Sequence, residues 1–300
     1  MSHDLTWSKH VENIIKSVSP LIDVLKKLKY DLDRKTLETT YFSFIRPKIE
    51  YGSYIWDNCS NRDSELLENL QLDMARIATG ARKGTSHELL YKETNWQLLS
   101  ERRQAFKLKN FIKIVNEDTP PYLMSLLPNT IGSIRPISRH PENYFNVPAR
   151  TKTFRTSFIP SAVKLWNEAC PRDRFISAVN KSLKVKSNEL FYLGTRNNYI
   201  KHAQLRMKCS KLNAHLFSLH VIDSPACICG HNIEDCEHFL LHCPLYYNLR
   251  QTLFQTLSNL IDNQHLNTDT LLFGNDNYDN KTNCEIFVAV QQYLLDSNRL

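Results

Sequence analysis

The stretch Val11-Glu-Asn-Ile14-Ile15-Lys-Ser-Val18-Ser-Pro-Leu21-Ile22-Asp-Val-Leu25-Lys-Lys-Leu28 decides the fold class. Its apolar residues Val11, Ile14, Ile15, Val18, Leu21, Ile22, Leu25 and Leu28 recur at intervals of three and four with polar residues between them. That is the spacing of an amphipathic α-helix. Asp33 is a good N-cap for a second helix, whose stripe would be Leu37, Tyr41, Phe44, Ile45 and Ile49 and which Pro47 should kink. Asn61 or Asp63 can open a third, with Leu66, Leu67, Leu70, Met74 and Ile77 on one face and Gly80 placed to end it. Residues 86–92 and 95–116 read as two more helices. A mainly α fold follows.

Composition agrees with that reading. The chain has 300 residues, 42% hydrophobic and 23% charged, a balance that suits a globular protein with room for one large or two smaller domains. Only 7 glycines are present, too few for the positive-φ turns of a β-rich fold. No apolar run is long enough to span a bilayer, and Met1-Ser-His-Asp4 does not begin a signal peptide, so no membrane partner and an intracellular, nuclear or cytoplasmic location are expected. The net charge is +7, but residues 251–300 hold two basic and six acidic residues. The first 250 residues carry the positive charge, which favours polyanionic partners.

Eight of the twelve prolines lie between 120 and 171, so the helical array should stop at Glu117-Asp-Thr-Pro-Pro121 and give way to a Pro-rich irregular connector with little β structure. Within it Arg135, Arg139, Arg150, Lys152, Arg155 and Lys164 face a single acid, Glu142, and are interleaved with Tyr144, Phe145, Phe154 and Phe158. Ser161 reads as the N-cap of a helix over Ala162–Ala169. Helical pattern returns over about 188–219, and Pro244 fits the first turn of a final amphipathic helix through Leu249, Leu253, Leu257 and Leu260.

The eight cysteines are at 59, 170, 209, 227, 229, 236, 243 and 284, and four of them fall within seventeen residues that also hold His231, His238 and His242. Such density indicates a metal site in a reducing compartment and not a disulfide framework. A structural zinc needs four sulfur or nitrogen donors that can converge. A turn through Cys227, Cys229 and Gly230, followed by a helix from about Glu237 that brings His238 and Cys243 to one end, gives Cys227, Cys229, His238 and Cys243. Cys236, His231 and His242 remain available as substitutes. No phosphate-binding glycine loop, metalloprotease helix or nucleophile elbow is present, and the chain has no Asp-Asp pair for two-metal phosphoryl transfer. Asp276-Asn-Tyr-Asp279 lacks the glycine and terminal glutamate of a calcium loop and reads as a solvated turn.

In this order the segments resemble the C-terminal part of non-LTR (LINE-type) retrotransposon reverse transcriptases. Leu5-Thr-Trp7-Ser-Lys-His10-Val, Tyr41-Phe-Ser-Phe-Ile-Arg-Pro47-Lys-Ile-Glu50-Tyr51-Gly52-Ser53-Tyr-Ile-Trp56, Leu67-Glu68-Asn-Leu-Gln71 and Arg76-Ile-Ala-Thr-Gly80 are similar to the thumb. Arg150-Thr-Lys-Thr with Ser157-Phe-Ile-Pro160-Ser-Ala-Val-Lys-Leu-Trp166-Asn167 resembles the connector that follows it. Leu212-Asn213-Ala-His215-Leu216, Ser224-Pro225, Cys227-x-Cys229-Gly230, Glu234, His238-Phe-Leu and Cys243-Pro244 are similar to the family's CCHC knuckle. The likeness runs from residue 5 to about 247.

The resemblance implies a thumb-like helical domain over 1–118, the basic and aromatic connector over 119–160, a helical connector over 161–222, the knuckle and its following helix over 223–262, and an acidic segment over 263–300. No position matches the family's palm aspartates, so the chain is expected to be a C-terminal fragment or remnant, not an enzyme on its own. Its implied partners are RNA or DNA and the missing palm and fingers, with structural Zn²⁺ fixing the knuckle. Candidate contacts to nucleic acid are Arg135, Arg139, Arg150, Lys152, Arg155, Arg82 and Lys83, by phosphate contact and stacking. Lys26, Lys27 and Lys29 are weaker candidates, since a surface lysine run is usually a solvated face. The competing expectation is a zinc-dependent scaffold for protein partners.

Overall fold

The computed structural model describes residues 6–169, 171–184 and 188–300; Met1–Leu5 and Cys170 lie outside the described residues. The chain is mainly helical, and its pairing of extended backbone among the described residues is a single antiparallel bridge between Thr130 and Tyr144. It divides into two compact units, each assembled from three separate stretches. One comprises 1–20, 42–71 and 96–185, the other 21–41, 72–95 and 186–300.

The opening helix runs Ser8–Leu28 with Val11, Ile14, Val18, Ile22 and Leu25 buried, as the spacing predicts. Asp33 caps the next helix, its carboxylate accepting from the Thr36 amide at 2.9 Å. Leu37, Tyr41, Ile45 and Ile49 are buried, but Phe44 is exposed. Between Arg34–Thr40 and Arg46–Glu50 the helix widens into a π turn over Tyr41–Ile45, just before Pro47. Pro47 lacks an N–H and its ring crowds the preceding turn, and the wider turn accommodates both. It also keeps positions four apart in line while rotating Phe44 off the stripe.

The third helix is Asn61–Thr79, started by Ser60, whose hydroxyl accepts from the Asp63 amide at 3.1 Å. Leu67, Met74 and Ile77 are buried, while Leu66 is 39% exposed and leaves the expected face. Gly80 ends the helix at φ +72°, and a Cβ there would meet Ile200 Cγ1 at 2.6 Å, so both backbone and packing require glycine. The region expected to be helical over 95–116 begins at Leu99 and ends at Val115, because Asn95 turns left-handed at φ 53° to end the helix His87–Thr94.

In the first unit Leu108, Phe111 and Ile112 of the Leu99–Val115 helix pack with Tyr144, Ala162, Val163, Trp166 and Val179. Tyr144 N–H donates to the Asn167 side chain and its carbonyl accepts from it, which pins the irregular stretch to the following helix. That helix is Phe158–Glu168, four residues earlier than the Ser161 cap predicts. Pro160 sits in its first turn, and the Ser161 hydroxyl donates back to the Ser157 carbonyl at 2.7 Å. A helix over Ile176–Ser182 follows.

In the second unit the predicted helical stretch near 188–219 is broken into Glu189–Tyr192, Arg196–Arg206 and Asn213–Ser218. The helix after Pro244, Tyr247–Leu257, is not the final one. Thr268–Phe273 and Asn280–Asp296 follow, and Ile286, Phe287, Val290, Tyr293 and Leu294 of the latter are core residues. Beneath them four charged side chains are paired out of water. Arg34 donates to Glu38 and Glu93 at 2.8 Å each, and Arg206 holds Glu93 through two bonds of 2.8 and 2.7 Å.

Candidate metal centre

Cys227, Cys229, His238 and Cys243 converge so that one ligand atom from each lies within 4.8 Å of all the others. The Sγ atoms of Cys227 and Cys243 are 3.7 Å apart, and Cys229 Sγ is 3.2 Å from His238 Nε2. Two local folds bring this about. The first is a turn in which the Gly230 amide donates to the Cys227 carbonyl at 3.0 Å, with Gly230 at φ +93°, and the Cys227 amide donates to the His231 carbonyl at 2.9 Å. The second is a π turn over His238–His242, closed by the Cys243 amide on the His238 carbonyl at 2.7 Å. A five-residue separation closes on itself in a π turn, so His238 and Cys243 face the same point.

The three substitutes lie elsewhere. Cys236 Sγ rests 3.8 Å from the Leu205 carbonyl and 3.8 Å from His215 Nε2, in contact with the core. His231 Nδ1 is 2.9 Å from the Ile233 carbonyl, and its ring stacks on His238 with centroids 4.2 Å apart. His242 is exposed, 3.6 Å from Glu237.

Around the donors is a shell that residue spacing did not reveal. The Asp235 carboxylate accepts from the His238 amide at 2.8 Å and orients the π turn. Arg250, 5% exposed, donates to the Cys243 carbonyl at 2.7 Å. Glu234 accepts from the Asn213 amide at 2.9 Å and from Arg299 Nε at 2.8 Å, and Asn213 Nδ2 donates to the Ala226 carbonyl at 2.6 Å. Asn213, Glu234 and Pro225, whose carbonyl accepts from the Glu234 amide at 2.7 Å, thus acquire a physical role: they fasten the loop to the helices behind it. His238 Nδ1 is buried and has no hydrogen-bond partner among the described residues.

Burial pushes the Cys227 thiol up to about 12 and raises the Cys243 thiol, and burial together with the adjacent His231 lowers His238. Alone, these groups stay neutral. A divalent cation at their centre reverses that preference by stabilising thiolates. Three sulfurs and one imidazole nitrogen at these separations can hold a metal ion.

The basic residues expected to touch nucleic acid are divided. Arg135, Arg139, Arg150, Lys152 and Arg155 are exposed in the first unit, and none makes an ion pair among the described residues. Their one nearby acid, Glu142, is taken by Arg174 at 2.9 Å. Of the interleaved aromatics only Phe154 is substantially exposed, on the short Lys152–Arg155 turn; Tyr144 is core, packed on Phe111 and Trp166. Arg82 is half-buried and Lys83 exposed in the second unit. Lys26 is paired with Asp23 and Asp73.

No family model, no curated protein and no solved structure matches the chain. Among the described residues no helix is long and apolar enough to cross a membrane.

Proposed function

We propose that this chain is a non-catalytic nucleic-acid-binding module resembling the thumb, connector and knuckle of LINE-type reverse transcriptases, its knuckle closed by one structural zinc ion. The observation that carries the proposal is the convergence of Cys227, Cys229, His238 and Cys243, the positions at which the sequence resembles that family's CCHC knuckle. Around a tetrahedral zinc with bonds of about 2.3 Å to sulfur and 2.0–2.1 Å to nitrogen, adjacent sulfurs lie about 3.8 Å apart and a sulfur and a nitrogen about 3.6 Å apart. The separations of 3.7 and 3.2 Å are close to those edges. Zinc, when bound, supplies a cross-link between the Cys227–Gly230 turn and the His238–Cys243 turn. All four positions are taken by protein donors, which is the pattern of a structural site and leaves none for an activated water.

The grip on nucleic acid is read from charge. Arg135, Arg139, Arg150, Lys152 and Arg155 offer exposed cations to a phosphate backbone, and Phe154 offers a face for a base. The test is binding of the zinc-loaded chain to a labelled RNA–DNA primer-template across a salt series. If all five cations meet phosphates, log K against log salt should fall with a slope of about −4, at about 0.7–0.9 per contact. Replacing Arg150, Lys152 and Arg155 together by alanine should flatten that slope by about 2–3. Binding that is absent or indifferent to salt contradicts the reading.

A further inference from the structure

Residues 221–300 carry ten acidic side chains and three basic ones, in a chain whose net charge is +7. Two of the three cations are already committed: Arg250 is buried against the Cys243 carbonyl, and Arg299 is held by Glu234. Lys281, 85% exposed, stands 3.9 Å from Glu285 in a solvent-exposed pair, so the region keeps an excess of seven acids. This region is therefore an acidic surface on an otherwise basic protein.

On that surface the helices Tyr247–Leu257 and Asn280–Asp296 pack side by side and leave an open groove of about 900 Å³. Leu253 forms its floor, Leu249, Leu260 and Ala289 are its half-buried walls, and Val288 stands 55% exposed on its edge. Glu285, with Lys281 at 3.9 Å, and Asp296 are the charged lining residues, set among the uncharged Thr252, Gln255, Thr256, Asn259 and Gln292. A trough with an apolar floor and a rim that carries two carboxylates among uncharged polar groups is complementary to a helix that presents leucine-like side chains on one face and lysine or arginine beside them. Other occupants fit less well. Phosphates are repelled by the rim. A second copy would bring the same acids against these, and the chain's own basic amphipathic helix, Ser8–Leu28, already buries Val11, Ile14, Val18, Ile22 and Leu25. We infer that this groove docks a basic amphipathic helix of a partner protein, so that the acidic end of the molecule recruits protein while its basic stretch meets nucleic acid.

The experiment is fluorescence anisotropy of the full zinc-loaded chain with a labelled twenty-residue peptide carrying leucines at i, i+3, i+4 and i+7 spacing and lysines elsewhere. A peptide of the same pattern with glutamate for lysine is the control. The lysine peptide should bind, more weakly as salt rises, and at least tenfold tighter than the glutamate peptide. Val288→Arg and the pair Glu285→Lys with Asp296→Lys should each weaken it at least tenfold. All three positions lie at the surface, so circular dichroism and melting should stay unchanged. Absence of binding, equal binding of both peptides, or indifference to Val288→Arg overturns the inference. So does light scattering that finds a dimer which Val288→Arg disperses, or loss of primer-template affinity in the groove variants. Failure of primer-template binding with the peptide result intact counts against the nucleic-acid proposal alone.

Discussion

Cys236 and Cys229 are both knuckle cysteines in sequence, yet only one faces the other donors. Cys229→Ser should therefore abolish stoichiometric zinc retention, whereas Cys236→Ser should keep the ion and lose only some packing, measured by elemental analysis of the purified variants. Equal loss in both would contradict the ligand set. Density of cysteine and histidine made the cluster that could hold a metal ion legible in the sequence. The turn and the five-residue spacing pointed to Cys227, Cys229, His238 and Cys243, but Cys236, His231 and His242 stayed open as substitutes, because the packing of Cys236 on Leu205 is tertiary. Arg250 and Arg299 had no sequence signal, since they act on the site from seven and from sixty-five residues away. A second residue-scale prediction concerns acid. Burial, then Arg206, keeps the His202 imidazole pKa well below its ordinary value, and burial, then Lys208, lowers His215 to about 4. In the unfolded chain both titrate near 6.5, so below that pH the unfolded state binds more protons. Their contribution is fully present above pH 6.5 and is lost as pH falls toward 4, by up to about 2–3 kcal/mol per pH unit for the two together. His202→Gln should make the fall in melting temperature from pH 7 to 5 shallower, and the comparison separates this effect from metal release. Identical slopes would refute it.

At the scale of elements, the helices Arg34–Thr40, His87–Thr94 and Arg196–Arg206 are joined by Arg34, Glu93 and Arg206, each 5% exposed or less. Burial alone raises the Glu93 carboxyl; Arg206 and then Arg34 overcome it and hold the group below its ordinary value. Glu93→Gln leaves two buried guanidiniums with one carboxylate, Glu38, and should cost about 3–5 kcal/mol in urea unfolding. Glu168→Gln, in an exposed pair at 3.8 Å, should change stability by less than about 0.5 kcal/mol. A small effect at Glu93 would mean that the network is replaceable. Helix existence followed from periodicity, as at Val11 to Leu25, but helix ends and faces did not always. Phe44 left its stripe because the π turn before Pro47 changes the phase, and the Phe158 helix began early because Pro160 suits a first turn better than an interior. The buried ion network was invisible, since Arg34 and Arg206 look like any surface arginine until their carboxylates are brought to them.

Over the whole molecule, each compact unit draws on three distant stretches of chain, and local patterns do not predict such an assembly. The C-terminal stretch reads from its charge as an acidic segment, yet its long helix forms core with Leu253, Leu257 and Phe239. What sequence did convey was the mainly helical character, the irregular proline-rich interval and the place of the metal donors. The central claim, that zinc closes the knuckle, ties these donors to the fold of residues 186–300. Structural zinc in small modules is worth about 10–16 kcal/mol of apparent binding energy at neutral pH, enough to decide whether a loop is folded. The most direct measurement is native mass spectrometry of the full chain before and after EDTA, followed by melting of the same samples. The account predicts one zinc per chain, its loss with EDTA, a lowered melting transition and recovery on adding zinc back. Protein that carries no metal and melts identically with and without EDTA would contradict it.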